Sequence, residues 1–236
     1  MSDLRHTDFL TTLARAAIFI PSTQFAGRHI YVKLTDRWYE KFDSDPIIIP
    51  EKDVLPPSVP VLIMQSQSGE WKLQVSRERV DIIFDPKLPS SIDDLSKFFE
   101  EGLDYLVEFR KLFNLRVGRL AAICNRLLNQ EEPGKALAKH FCREDLLSGP
   151  LNRPEGFELH AHKTFTLYGG EVVNSWVRNK TGLRVVSNEP VIIIVQDVNT
   201  LAEQVHEREY TDEEMKLFFT ASSVELDKIL SIYYPE

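Results

Sequence analysis

The stretch SIDDLSKFFEEGLDYLVEFRKLF, residues 91–113, decides how the rest of the chain is interpreted. Its apolar side chains recur every three or four positions, which is typical of the buried face of a long helix. Ser91 is a favourable N-cap, and Arg110 and Lys111 suit the negative C-terminal end of the helix dipole. We therefore predict a helix that begins after Ser91 and ends near Phe113.

The stretch TDEEMKLFFTASSVELDKILSIY, residues 211–233, repeats that pattern 120 positions later. Thr211 and Glu214 have the spacing of a capping box, and they match Ser91 and Asp94 of the first helix. The other matched positions are Leu95 with Met215, Phe98 with Phe218, Phe99 with Phe219, Gly102 with Ser222, Leu106 with Leu226, Phe109 with Ile229, and Phe113 with Tyr233. The segments 75–80 and 186–191 also share a Val-Ser-x-Glu-x-Val pattern. We interpret these matches as an internal duplication.

Shorter periodic segments complete each half of the chain. We predict helices over 26–42 and 133–141, a long loop over 46–60, and strands over 14–20, 61–67, 70–76, 79–84, 115–128, 157–168, 171–178, 183–186 and 191–195. Each half then has the order β-α-β-β-β-α. The predicted fold is α+β: tandem pseudo-twofold repeats form a largely antiparallel sheet, with the long helices packed on one face. The halves, 1–113 and 114–236, make one compact unit.

Three motifs carry a family resemblance. They are a Trp-containing strand pair that leads to a long helix (Trp71 to Phe113), an Arg-rich strand after that helix (Arg116 to Arg126), and an apolar strand that ends in Asp-x-Asn-Thr (Asp197 to Thr200). Over about residues 70–236 the chain resembles a sporadically distributed family of bacterial proteins of about this length. The element order also resembles the saddle of TATA-binding-protein-like folds. The resemblance implies architecture, a bacterial origin and a context of mobile or defence-linked genes.

Composition narrows the class of protein. The chain has 236 residues, a formal charge of −8 and only two cysteines, Cys124 and Cys142. The cysteine count excludes a disulfide scaffold and fits a reducing compartment, so we expect a cytoplasmic protein. No run approaches the ~18 apolar residues that a membrane-spanning helix needs. The acidic balance weighs against a protein that coats phosphate backbones.

The main basic concentration follows the first long helix. Arg116, Arg119 and Arg126 lie on or next to a predicted strand, with Arg116 and Arg126 on one face and Arg119 on the other. They are candidates for an anion or nucleic-acid contact on a curved sheet. The alternative, which we favour, is that they pair with the abundant acidic side chains.

A Glu-x-His-x-His pattern gives a candidate metal site. Period two places Glu158, His160 and His162 on one strand face, and histidines at this spacing can chelate zinc. The same alternation is typical of a solvated sheet face, which we favour. Asp197, Asn199 and Thr200 end another strand and are candidates for a ligand-binding edge, although such residues commonly cap turns.

The absence of recognisable catalytic motifs favours a non-enzymatic protein. Our leading hypothesis is a protein-binding or regulatory protein without a cofactor, such as an antitoxin, immunity or defence-system accessory factor. Its partner would be another protein, bound on the open sheet face or by the loops 46–60 and 198–210. The alternatives are a nucleic-acid-binding saddle and a metal-dependent hydrolase with zinc at Glu158, His160 and His162. The sequence is also compatible with a homodimer.

Overall fold

The computed structural model describes residues 4–21, 26–50, 56–87, 89–149, 151–152, 154–184 and 187–236. The strands are β1 (Leu10–Phe19), β2 (Ile47–Ile48), β3 (Leu62–Gln65), β4 (Trp71–Val75), β5 (Arg79–Phe84), β6 (Arg119–Asn129), β7 (Glu158–Thr166), β8 (Val172–Leu183) and β9 (Pro190–Thr200). The α-helices are α1 (Gly27–Trp38), α2 (Leu95–Phe113), α3 (Pro133–Phe141), α4 (Glu144–Leu147) and α5 (Asp212–Tyr233). Short 3-10 helices lie at His6–Asp8 and Ala202–Gln204.

All nine described strands form one antiparallel sheet in the order β2-β3-β4-β5-β1-β6-β9-β8-β7. β1 and β6 pair near the middle, and a register shift at Thr11–Leu13 marks a bulge in β1. The long strands of the second half alternate apolar and polar side chains, which suits a sheet with one buried face. The prediction of an α+β protein with a largely antiparallel sheet is confirmed.

The helices α1, α2, α3 and α5 pack on one face of this sheet. α2 and α5 lie side by side over the central strands, α2 against β1 and β5 and α5 against β6 and β9. α2 lies close to β1 at Gly102, where an added Cβ would be in van der Waals contact with the Cβ of Ala16 at 3.4 Å. The core is therefore the layer between these helices and the sheet, and it contains the fully buried rings of Phe99, Phe109 and Phe219.

The start of α2 differs from the prediction. Asp94, not Ser91, is the N-cap, and its carboxylate accepts a hydrogen bond from the backbone N–H of Lys97 at 3.1 Å. The helix begins late because the backbone N–H of Ile92 donates to the carbonyl of Thr11 in β1, at 2.8 Å. That bond ties Ile92 to β1, so residues 91–93 lie outside the helix.

The capping box of α5 is confirmed. The hydroxyl of Thr211 accepts from the N–H of Glu214, and the Glu214 carboxylate accepts from the N–H of Thr211. The two helix starts are therefore three residues out of step with the predicted alignment of Ser91 with Thr211.

Two other predicted boundaries are wrong. The segments 171–178 and 183–186 are not separate strands, since β8 is continuous from Val172 to Leu183, while residues 185–186 lie outside the described part of the chain. The loop predicted over 46–60 contains β2, which pairs with β3, and residues 51–55 of that loop are not described. Within the described ranges, no helix is long and apolar enough to cross a membrane.

Candidate binding site on the open sheet face

The sheet face opposite the helices carries most of the charged side chains of the central strands. We call it the open face. Pleating places on it Arg15 and Ala17 of β1, Lys72 of β4, Arg79, Asp81 and Ile83 of β5, Arg119, Ala121, Ile123 and Asn125 of β6, Asn174, Trp176 and Arg178 of β8, and Asp197 and Asn199 of β9.

Strand register aligns the open-face side chains in rows. Arg15, Ile123, Asp197 and Trp176 follow one another across β1, β6, β9 and β8. The next row is Leu13, Asn125, Val195 and Arg178. These two rows line a depression of about 280 Å³, which we call the Arg15 pocket.

Two arginines of the open face have partners. The Nε of Arg79 donates to Asp81 Oδ2 at 2.8 Å. The Nε of Arg119 donates to the carbonyl of Thr200 at 3.1 Å, and one of its terminal nitrogens donates to Asn199 Oδ1 at 2.8 Å. The guanidinium of Arg119 also lies over the ring of Phe19, 4.5 Å from its centroid. These two side chains are held in place by the protein itself.

The two arginines of the Arg15 pocket differ from them. Neither the Arg15 side chain nor the Arg178 side chain makes a hydrogen bond or an ion pair within 4.0 Å to any residue in the described ranges. The Nε of Arg15 is buried and has no hydrogen-bond partner there. The Arg178 guanidinium lies 5.8 Å from the centroid of the Trp176 ring. The described residues therefore leave both guanidinium groups of the pocket without a hydrogen-bonded partner.

Buried carboxylates accompany these arginines. Burial raises the pKa of Asp197, while a hydrogen bond from Asn199 and the charges of Arg119, Arg178 and Arg15 oppose that rise. Burial likewise raises the pKa of Asp81, against the opposing charges of Arg79 and Arg15. Asp81 is 2% exposed, and its Oδ1 has no partner among the described residues. Arg15 thus lies within the electrostatic reach of two carboxylates without bonding to either.

The three arginines predicted as an anion site do not converge on one surface. Arg116 lies before the first residue of β6, so it does not share a strand face with Arg126 as predicted. It donates to the carbonyls of His206 and Arg208 and so fixes the loop before α5. Of the three predicted arginines, only Arg119 lies on the open face.

Arg126 points to the helix side of the sheet. It is 6% exposed and donates to Gln196 at 2.8 Å, to the hydroxyl of Thr11 at 3.1 Å and to Asp227 of α5 at 2.5 Å. These bonds join the sheet to α5, so Arg126 stabilises the contact between the sheet and this helix.

The Glu-x-His-x-His residues lie on the open side of the edge strand β7. His160 Nε2 is 3.5 Å from a Glu158 oxygen. His162 stacks on Trp176, with ring centroids 4.1 Å apart, and pairs with Asn174 at 3.1 Å. Among the described residues, no group of three or more His, Cys, Asp or Glu side chains could hold a metal ion. Glu158, His160 and His162 therefore do not form such a group in the structure, and no further ligand joins them from the described residues.

The predicted ligand edge is split between the two faces. Asp197 and Asn199 lie on the open face and are joined by a hydrogen bond of 2.9 Å. The Thr200 hydroxyl instead accepts the backbone N–H of Leu120 at 3.0 Å, in the buried layer. Asp197 lines the Arg15 pocket, although the sequence did not connect it with Arg15 or Arg178.

No known protein family matches the chain, and neither does any curated protein. Its class is therefore defined by its own architecture: an α+β protein with a long antiparallel sheet, helices on one face and a charged pocket on the other.

Proposed function

We propose that this is a non-enzymatic protein-binding or regulatory protein whose partner docks on the open face. The observation that carries the proposal is the segregation of α1, α2, α3 and α5 to one side of the sheet. The other side then presents arginine and tryptophan among apolar side chains, and these two residue types are enriched at the energetic centres of protein interfaces.

The open face has features of a contact surface. Its apolar centre is closely packed, and Ala17, Ile83 and Ala121 are each at most 3% exposed, so a partner would contact the charged and aromatic side chains around them. Charged groups of both signs surround that centre, which allows a partner to be selected by charge complementarity. Trp176 is held in place by the stacked ring of His162, so a partner would meet a rigid aromatic surface.

A nucleic-acid-binding saddle is the alternative. Arg15, Arg79, Arg119 and Arg178 all lie on the open face, which supports contacts to phosphates. Against it, Arg79 and Arg119 are already engaged, and the buried carboxylate of Asp81 lies beside them. The chain as a whole carries −8. We therefore favour a protein partner.

Site-specific photo-crosslinking in the native cell tests the proposal. A photoreactive residue replaces Asn174 on the open side of β8, and a matched control replaces Val224, which is 63% exposed on α5. We expect the Asn174 position alone to crosslink one protein species, in a fixed ratio that native mass spectrometry measures. Equal capture from Val224, or capture of nucleic acid at Asn174, would contradict the proposal.

In its narrower form the proposal is an antitoxin, immunity or defence-system accessory factor of a bacterium. The captured partner would then be a toxin or an effector, and its activity would fall when this protein binds. A partner whose activity is unchanged by binding would leave the general proposal standing and remove the narrower one.

We also propose that the chain is a tandem pseudo-twofold repeat with halves 1–113 and 114–236. Two features support it. The strand order β3-β4-β5-β1 in the first half corresponds to β7-β8-β9-β6 in the second, with β1 and β6 adjacent. In addition, the matched residues Phe99 and Phe219 contact each other. The displaced N-cap of α2 is the main departure from the repeat.

A further inference from the structure

We propose that the Arg15 pocket binds the C-terminal carboxylate of a protein partner, through the guanidinium groups of Arg15 and Arg178. This inference rests on the proposed function, because it names the chemical group that a protein docked on the open face inserts into the pocket. It starts from the contrast between Arg79 and Arg119, which have partners on this face, and Arg15 and Arg178, whose side chains have none in the described part of the chain.

Unused guanidinium donors indicate an anion. The Nε of Arg15 is buried without a hydrogen bond to the described residues, which is costly. The terminal nitrogens of Arg15 are not buried in this way and make no hydrogen bond to the described residues, so they are the donors that a ligand in the pocket reaches. The planar guanidinium fork matches the two oxygens of a carboxylate. Arg178 lies on β8, three strands away from Arg15 on β1 and in the next row, and both residues line the same pocket.

Charge and shape favour a single carboxylate over a longer polyanion. Arg15, Arg178 and Asp197 together carry a formal charge of +1, which one negative charge balances. The pocket volume of about 280 Å³ is just below the ~300–1,000 Å³ that is typical of small-ligand sites, so it accommodates a group about the size of one amino acid. Leu13, Ile123 and Val195 supply an apolar wall next to the arginines. A partner whose C-terminal residue is apolar supplies a group for each of these surfaces, because the α-carboxylate and the apolar side chain are attached to the same Cα.

The first experiment uses N-acetyl-leucine as the probe, with N-acetyl-leucinamide as its uncharged control. Binding is followed by NMR on the whole chain, through the arginine Nε–H signals and the tryptophan indole signals. We expect N-acetyl-leucine to shift the Arg15 and Trp176 signals saturably, with a dissociation constant on the order of 1 mM for so small a ligand. The amide is expected to cause no such shift. Absence of saturable shifts with the acid would overturn the proposal.

Variants distinguish the pocket from general charge attraction. R178Q and R15Q are each expected to weaken N-acetyl-leucine binding about tenfold, since each removes a charged hydrogen-bond donor. Arg178 is exposed, so R178Q tests the site even if R15Q fails to fold. K72Q is the matched control: Lys72 lies on the open face but outside the pocket, and its ion pair to Asp85 is 3.3 Å long. An equal loss in K72Q would overturn the proposal.

Two comparison ligands separate other sources of the anion. Tighter binding of N-acetyl-glutamic acid α-amide would assign the pocket to an acidic side chain and overturn the terminal assignment. Tighter, steeply salt-dependent binding of an oligothymidylate would favour nucleic acid.

If N-acetyl-leucine binds as expected but no protein is crosslinked from Asn174, the pocket stands and the protein-binding function fails. If a protein is crosslinked and binds R178Q equally well, the function stands and the pocket assignment fails.

Discussion

The rings of Phe99 in α2 and Phe219 in α5 stack across the interface between the two long helices. Their centroids are 5.7 Å apart and their planes are inclined by 21°. Both side chains are at most 1% exposed, and each helix contributes one of them at the matching position of its sequence pattern. This contact is the centre of the layer that covers the sheet.

Truncation of either ring should destabilise the protein strongly. We expect Phe99→Ala and Phe219→Ala each to lower the free energy of unfolding by about 3–5 kcal/mol, because each leaves a cavity in a closely packed core. The double variant should lose less than the sum, because the two residues share one contact. Urea denaturation of the four proteins measures this coupling. Strict additivity would indicate that the stacked pair contributes no interaction of its own.

The two cysteines should differ sharply in reactivity. Cys124 is fully buried, its Sγ donates to Gln196 Oε1 at 3.4 Å, and burial raises the pKa of its thiol to about 11. Because the thiolate is the reactive form, a disulfide reagent at pH 8 should label only Cys142 in the folded protein. Denaturant should expose the second thiol. Rapid labelling of folded Cys142→Ser would contradict this prediction.

Two aspartates should change stability with pH in opposite directions. Burial raises the pKa of Asp197 above 3.8 in the folded state, so the native protein binds more protons than the unfolded chain above that pH. Stability from this group therefore falls as the pH rises from 3.8 through the folded-state pKa. Relative to wild type, Asp197→Asn should gain stability between pH 3 and pH 7, as urea denaturation at both pH values would measure.

Asp212 should behave in the reverse way. A hydrogen bond from Lys111, together with Arg110, lowers the pKa of Asp212 below 3.8. Its stabilising contribution is complete above the unfolded-state pKa and is lost as the pH falls through the folded-state pKa. We expect Asp212→Asn to cost about 1 kcal/mol at pH 7 and progressively less toward pH 3. A cost that does not depend on pH would show that the two cations do not act on this carboxylate.

The packing of the loop before α5 should depend on the absence of a side chain at Gly118. A Cβ at this position would lie 1.8 Å from the carbonyl oxygen of Val205, so any larger residue must displace that backbone. Gly118→Ala is expected to lower the free energy of unfolding by about 2 kcal/mol or more. Gly149→Ala is the control, since the nearest atom to its added Cβ is 3.8 Å away, and it should unfold like wild type. An unchanged Gly118→Ala would contradict the observed packing of the loop.

Much of the fold could be predicted because its signals are local. The apolar periodicity of residues 91–113 and 211–233 identified both long helices, and alternation identified most strands. The Ser91 cap failed because the hydrogen bond that prevents it links Ile92 to Thr11, 81 positions earlier in the chain. A contact of that range leaves no trace in local spacing.

The site was harder to predict because it also depends on contacts between residues that are far apart in the sequence. Arg15 and Arg178 come together only through the pairing of β1, β6, β9 and β8, and the register of β1 includes a bulge. A signal for Arg15 was present, since it is the one charged residue among the apolar side chains of residues 13–20. Arg126 is likewise a charged residue in an apolar strand, but it points to the other face. The alternation of side chains along a strand separates the two faces without showing which of them the helices cover.

Separate expression of the two halves tests the proposed repeat. Fragments 1–114 and 115–236, produced together, should form a one-to-one complex, because each contains all the strands and helices of one proposed half. The split leaves the β1–β6 pairing and the α2–α5 contact to hold the fragments together. The cut follows Asn114, which ends α2 in a left-handed conformation with φ of 49°, so it interrupts no strand or helix.

The control split falls between residues 149 and 150, inside the second half. It separates β6 and α3 from β7, β8 and β9, so neither fragment matches a repeat. We expect the first pair of fragments to co-purify with cooperative thermal unfolding, and the second pair to give little or no complex. If the second pair reassembles as well as the first, residue 114 is not a boundary between structural repeats, and the order of strands in the sheet has another origin.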